Sequence, residues 1–316
     1  MTDQLVLAVV GPTAAGKSRI ALEAARSLRA EIIAVDAFTV YRGMDIGTAK
    51  PSAQERAEIP HHMIDVLSVD QSCSVEWFQS EARRCIADVL ERGGLPLLVG
   101  GSGLYFRAVV DPLDFPPTDP DVRARMEAAY ADDPSAAHAA LREADPEAAG
   151  RMEPGNVRRA IRALEVLEIT GRPFSSYRQA WDTHDAIYPA LRVTGVQAPR
   201  AELGSRIDAR VDRMLRDGLV DECRALLEAV GPGSRTDALS ATARQAIGYA
   251  EVVDHLEGAC SLAEASERIK ARTRRYAARQ MRWFRGDPRV RWTAASSAVA
   301  AIIADGRHLI ANEVDG

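Results

Sequence analysis

The chain has 316 residues, with 40 lysines and arginines against 45 aspartates and glutamates, a formal net charge of −5. Its 47% apolar and 27% charged content suits one large domain or two smaller ones and argues against global disorder. No run of 18 apolar residues is present to span a bilayer, and the first residues lack the basic start of a signal peptide. Cys73, Cys85, Cys223 and Cys260 form no CxxC pair, which disfavours a disulfide framework and a zinc site and leaves a reducing cytoplasm as the expected setting.

In chain order, residues 5–10 read as a buried strand, 18–28 as a helix and 31–35 as a second strand. A helix over 75–91 and a strand over 95–99 follow, and strands alternating with helices predict a parallel α/β sheet. Four prolines between Asp111 and Pro120 mark a boundary, since such a stretch continues neither a helix nor a central strand. Beyond it, residues 121–172 are rich in Ala, Arg and Glu and are divided by the turn signals DDPS and MEPGN into about four helices. Another apolar run at 191–196 returns the pattern to α/β, so 117–187 reads as a helical insertion in a core made of 1–116 and 188–316. Helices dominate 199–285, then a short strand at 290–293 and an alanine-rich terminal helix close the chain.

The strongest motif is Gly11-Pro12-Thr13-Ala14-Ala15-Gly16-Lys17-Ser18, a G-x-x-x-x-G-K-S loop between a predicted strand and a predicted helix. The two glycines permit a turn that aims several backbone N–H groups into one concavity. The helix N-terminus adds positive potential, Lys17 a compact cation and Ser18 a hydroxyl for Mg²⁺. Such a loop recognises a chain of phosphates and not a nucleoside, so it leaves open a small-molecule kinase, a nucleotide-gated RNA-binding module or another user of diphosphate. No acid ends the strand at 95–99; Asp36 ends the second strand instead and, at the carboxyl edge of an open α/β sheet, faces the ligand crevice. Its position alone fits an indirect Mg²⁺ contact, a general base or a turn former. His61, His62 and Asp65 have a ligand-like spacing without a supporting third cluster and read as loop and core residues.

Asp36 opens the segment DAFTVYRGMDIGTAKP, which with GPTAAGKS resembles the tRNA dimethylallyltransferase family. Further matching blocks are PHHMID at 60–65, GGSGLY at 100–105, DPDVR at 119–123, RRAIRALEV at 158–166, the RI…RV pair at 206–211, QAIGY at 245–249 and RYAARQ at 275–280. They run in the family's order over nearly the whole chain. The resemblance implies a P-loop NTPase-like parallel sheet core flanked by helices, with an inserted all-helical tRNA-binding domain. It implies transfer of a dimethylallyl group from dimethylallyl diphosphate to N6 of the adenosine 3′ to the anticodon, with diphosphate released.

By the same resemblance Asp36 is the base, and Thr13 and Arg210 flank the bridging oxygen, with Arg206 one helical turn away. Residues Gly11 to Ser18 hold the donor, with Mg²⁺ on Ser18. Candidate tRNA contacts are Asp36, Ala37, Phe38, Thr39, Ser102, Arg123, Arg158, Arg159, Ala160, Ile161, Arg162, Gln245, Ala246, Ile247, Gly248, Tyr249 and Ala250. The implied partner is the tRNA anticodon stem-loop, with no membrane and a monomeric enzyme. Departures from the family pattern are Ala37 for a common Ser, Ser102 for Thr and Ala250 where Lys is frequent. Residues 268–291 carry ten cations and one acid, interleaved with Tyr276, Trp283 and Phe284, a local charge of +9 that suits an RNA backbone in an otherwise acidic chain.

Overall fold

The computed structural model describes residues 5–229 and 239–314. In chain order the elements are β1 (Leu5–Val10), α1 (Lys17–Leu28), β2 (Ala30–Val35), α2 (Ala53–Glu58), β3 (His61–His62), α3 (Val75–Glu91), β4 (Leu95–Gly100) and α4 (Gly103–Val110). Then come α5 (Pro120–Ala129), α6 (Pro134–Ala144), α7 (Pro146–Gly150) and α8 (Val157–Thr170). The chain returns through β5 (Ala190–Gln197), α9 (Arg200–Arg216), α10 (Leu219–Ala229), α11 (Tyr249–Leu256), α12 (Leu262–Arg285), β6 (Val290–Ala294) and α13 (Ala295–Val314). Among the described residues, no helix is long and apolar enough to cross a membrane.

The six strands form one wholly parallel sheet in the order β3-β2-β4-β1-β5-β6. Every residue of β1 is buried, as expected for a central parallel strand covered on both faces. Its side chains alternate between two cores. Val6, Ala8 and Val10 join Ile33, Leu98, Phe78 and Phe106 on one side, while Leu5, Leu7 and Val9 join Ile20, Leu97 and Ile302 on the other. The strand ends that carry Gly11, Asp36 and Gly101 therefore lie at one edge, with β1 and β4 in register up to the pair Val10 and Gly100.

The strands at 5–10, 31–35, 95–99, 191–196 and 290–293 are all present, each longer by no more than a residue at either end. Two elements lack a sequence signature strong enough to predict. β3 has only two residues and no period to read; it pairs through Ile32 and His61, so the segment read as a loop is an edge strand. α2 has a single helical turn and a half, set by a capping box in which Ser52 and Glu55 satisfy each other's backbone amides. The expected helical run over 199–285 includes residues 230–238, which lie outside the described residues, as do residues 1–4 of the expected non-signal start.

The structure divides into two compact units, one of residues 1–110 and 186–316, the other of 111–185. The second unit begins ahead of the proline cluster, at Asp111, where α4 has just ended. It is all-helical. Three of its helices start with the same device, an aspartate N-cap followed by proline: Asp119-Pro120, Asp133-Pro134 and Asp145-Pro146. Its core comprises Ala137, Leu141, Ala149, Met152, Ala160, Ile161 and Leu164. Glu165 is fully buried there and accepts hydrogen bonds from the Asp119 N–H at 3.0 Å and from the Arg123 Nε at 3.0 Å, with Arg162 3.1 Å away.

Candidate active site

The loop after β1 is built for a close approach to an anion. Gly11 has φ 142° and passes against the backbone of Val196, where a Cβ would stand 2.9 Å from the carbonyl oxygen. Gly16 caps α1 at φ 91° with no side-chain hydrogen bond, and the first turn of α1 carries no acid, so its amides are left for a ligand. Ala14 takes a left-handed conformation, φ 62°, unusual for a residue with a Cβ and the sort of local strain that functional loops retain. Lys17 donates to the Pro12 carbonyl at 2.8 Å, which folds its side chain back over the loop.

Three charges meet beside this loop. Asp36 follows β2 and accepts the Phe38 N–H at 2.9 Å, an Asx turn that fixes its carboxylate. The turn role and the ligand-facing position therefore coexist. Arg210, on α9, donates from Nη1 to the Thr13 hydroxyl at 3.1 Å. Arg206, one turn earlier, is paired with Glu202 at 2.7 Å on the surface. Burial, then repulsion from Arg210, brings the Lys17 ammonium down to about 7, with Asp36 pulling the other way. Burial likewise lowers the Arg210 guanidinium, again opposed by Asp36. Two cations, Lys17 and Arg210, thus face one carboxylate, Asp36.

These groups share a cavity of about 390 Å³ lined by Thr13, Lys17, Ser18, Asp36, Arg210 and Gln280 among others. Phe38, Thr39, Gln245, Ala246 and Ile247 line it as well. The Thr39 hydroxyl oxygen is buried with no hydrogen-bond partner among the described residues, a polar atom that a ligand would complete. Ser18 is exposed at the first turn of α1 and faces the same space. No group of three His, Cys, Asp or Glu among the described residues could cage a metal. One hydroxyl beside a phosphate cradle does suit Mg²⁺, which keeps most of its ligands as water and substrate phosphate oxygens.

Several residues that the sequence does not single out hold this geometry. Glu222 of α10 accepts N–H groups of Asp45, Ile46 and Gly47 at 3.0, 2.8 and 3.3 Å and the Tyr249 hydroxyl at 2.5 Å. It thereby fixes the wall formed by Gly47, Thr48 and Ala49. The Lys50 ammonium is buried and donates to the Tyr41 carbonyl at 2.5 Å, to Asp45 at 2.7 Å and to Asp65 at 2.5 Å. Asp65 is thus a structural anion, as read; His62 is bonded to Glu31 at 2.7 Å, while His61 lines the cavity.

Several of the expected tRNA contacts are buried or paired within the protein. Tyr249 is 0% exposed with its hydroxyl held by Glu222, and Gly248 is buried with its N–H bound to Glu251. Ala160 and Ile161 are core residues of the helical unit, because they occupy the inner face of α8. Arg123 and Arg162 turn inward to Glu165, whereas Arg158 and Arg159 on the same unit are exposed.

A family model described as IPP transferase matches residues 39–287. The chain belongs to the IPP transferase family. A tRNA dimethylallyltransferase of Thermobifida fusca is 50% identical over 293 residues, covering 91% of this chain and 89% of the relative. One from Kineococcus radiotolerans is 49% identical over 297 residues, 92% of this chain and 90% of that one. A solved tRNA isopentenylpyrophosphate transferase from Bacillus halodurans has a TM-score of 0.68 at 37% identity, covering 98% of this chain and 99% of its own. A eukaryotic dimethylallyltransferase, described as acting on tRNA, has a TM-score of 0.82 at 26% identity, covering 98% of this chain and 80% of its own.

In this member of the IPP transferase family the three sequence departures lie at strand and helix ends. Ala37 is half-buried against the sheet core, Ser102 accepts the Phe106 N–H with its carbonyl at the start of α4, and Ala250 is half-buried in the first turn of α11. The basic stretch is less charged than its composition implies. Arg268, Lys270, Arg272, Arg274, Arg289 and Arg291 are ion-paired with Asp254, Asp212, Glu251, Asp208, Asp287 and Asp305. Arg275, Arg279, Arg282 and Arg285 lie on α12 with no acidic partner among the described residues, beside a Trp283 that is 43% exposed. Spacings of four, three and three place these four arginines along one side of the helix.

Proposed function

We propose that the chain transfers a dimethylallyl group from dimethylallyl diphosphate to N6 of the adenosine 3′ to the anticodon of tRNAs, releasing diphosphate. The reading rests on relatives of about half identity that are named for this transfer and cover nine-tenths of the chain. The structural observation that carries it is the convergence of a phosphate loop, Arg210 and Asp36 on one cavity. Neither a small-molecule kinase nor an RNA-binding module without transfer is favoured by relatives so named.

An exocyclic adenine amine is a poor nucleophile because its lone pair is delocalised into the ring. Attack on the allylic carbon therefore needs a proton acceptor, a stabilised leaving group and alignment of the two. The Asp36 carboxylate, held by its Asx turn, accepts a hydrogen bond from N6 and then the proton as the N–C bond forms. The C–O bond breaks and its electron pair leaves with diphosphate. The Thr13 oxygen already accepts from Arg210, so its own O–H is free to donate to the bridging oxygen as charge develops there. Lys17 and the amides of residues 14–18 hold the terminal phosphate oxygens. Ser18 and the diphosphate would hold Mg²⁺, which would supply further charge stabilisation.

On the acceptor side, an anticodon loop is single-stranded, so extruding a base costs less than opening a duplex. Thr39, with its unpartnered oxygen, and the cavity-lining residues Gln245 and Ile247 border the space the base would enter. Arg275, Arg279, Arg282 and Arg285, together with Arg158 and Arg159, are the cations available to phosphates. The reading includes a monomeric enzyme at work in the cytoplasm, where its tRNA substrate is found.

The deciding experiment mixes protein, Mg²⁺, dimethylallyl diphosphate and unmodified tRNA. N6-dimethylallyl adenosine detected by mass spectrometry at that one position supports the proposal. Consumption of ATP with a phosphorylated small molecule, or tRNA binding with no modified base under these conditions, would contradict it.

A further inference from the structure

Gln280 takes no part in the chemistry above, yet it lies at its centre. It sits on the inner face of α12, 5% exposed, between buried Ala277 and Phe284 one turn to either side. Both ends of its amide are engaged. Oε1 accepts the Thr13 N–H at 2.8 Å, and Nε2 donates to the Gly101 carbonyl at 2.9 Å. Reversing the amide would set donor against donor and acceptor against acceptor, so its orientation is fixed by its neighbours. The amide bridges the loops that follow two adjacent strands, β1 and β4. The second glycine of the Gly100-Gly101 pair belongs to the same arrangement. A Cβ on Gly101 would stand 2.3 Å from the Gln280 Nε2 and 3.1 Å from the Gly11 carbonyl oxygen, so any side chain there would expel the bridge.

Thr13 is thus held from two sides. Gln280 takes its backbone N–H and Arg210 its hydroxyl oxygen. Capturing the Thr13 N–H sets the direction in which the Thr13 side chain leaves the backbone.

We propose that Gln280 is a positioning residue for the leaving-group side of the transfer, fixing the main chain of Thr13 so that its hydroxyl meets the bridging oxygen. The proposal rests on the reading of Thr13 given above. Misplacing a group by about 1 Å can cost on the order of a hundredfold in rate. Because the Thr13 contact strengthens as charge develops, its loss appears in kcat and not in donor affinity.

The test is a double-mutant cycle on the full chain with tRNA and dimethylallyl diphosphate, using Gln280→Met, Thr13→Ala and the pair. Gln280→Met keeps length and apolar volume while deleting both hydrogen bonds. It is expected to lower kcat by about 10- to 100-fold with donor Kd changed less than about threefold, and to cost less than about twofold more once Thr13 is already Ala. Equal, multiplicative losses in the two backgrounds would overturn the role of Gln280 and leave that of Thr13 standing. A Thr13→Ala variant with unchanged kcat would overturn the Thr13 reading and this proposal with it. Should Gln280→Met not fold, Gln280→Glu serves: as a neutral carboxylic acid it reproduces both bonds, so it is expected to keep more activity as pH falls from 8 toward 6 relative to wild type, about fivefold or more. A ratio of variant to wild-type kcat that is flat over that range would contradict the proposal.

Discussion

Lys17 has the clearest pH signature in the cavity. Burial and Arg210 bring its ammonium to about 7, so above neutrality the free protein holds much of it uncharged. A bound diphosphate favours the charged form and raises that pKa, so binding above pH 7 must take up a proton. The sign follows: donor affinity falls as pH rises, by up to about tenfold per pH unit until the raised pKa is reached. Titration calorimetry in buffers of different ionisation enthalpy at pH 8 should show net proton uptake. No uptake, with affinity level from pH 7 to 8.5, would mean that Lys17 does not meet the phosphates. At this scale the sequence was informative wherever the chemistry is local. Gly11 to Ser18 put a turn, a cation and a hydroxyl in eight consecutive residues, and Asp36 stood at a strand end. Arg210 was separable from Arg206 only once the partners of each were known. Gln280, 267 positions from Thr13, was not legible as a bridge, because helical phase gives the buried side and not what lies across it.

At the scale of elements, the wall of the cavity at 45–49 depends on a carboxylate from α10. Glu222 satisfies three backbone N–H groups and keeps the Tyr249 hydroxyl protonated, the pKa of which burial and Glu222 both push upward. Replacing it with Ala leaves those donors without their acceptor and should cost about 2–3 kcal/mol. Tyr249→Phe, which removes a single donor, should cost about 1–2 kcal/mol. Urea unfolding followed by circular dichroism reads both, and midpoints equal to wild type would show that the wall is held elsewhere. α12 makes the complementary point about charge. Composition alone gives 268–291 a balance of +9, but Asp208, Asp212, Glu251, Asp254, Asp287 and Asp305 pair with six of its cations. All of these acids except Asp287 lie outside the segment, so no local window could have counted them. The charge left for RNA is Arg275, Arg279, Arg282 and Arg285. Removing the first three together should flatten the plot of log K for tRNA against log salt by about 0.7 to 0.9 for each phosphate no longer neutralised, whereas Arg274→Ala should not. A slope unmoved by the triple substitution would make that face of α12 structural.

For the molecule as a whole, the order of strands brings Gly11, Asp36 and Gly101 to one edge of the sheet from three separate β–α units. The architecture was readable because its strands are continuous apolar runs and its helices amphipathic. What escaped notice was short: a two-residue strand, and a helix of six residues set by Ser52 and Glu55. The inward turn of Arg123 and Arg162 was hidden as well, since Glu165 looks like any other charged helix residue until its 0% exposure is known. On the proposed reading, one edge of this sheet grips a prenyl diphosphate while Asp36 takes the proton from the incoming amine. The most direct test is the single-turnover rate of prenyl transfer with donor already bound, compared between wild type and Asp36→Asn. The rate should fall by about 10²- to 10⁴-fold while donor affinity changes by less than about threefold; an undiminished rate would contradict the account.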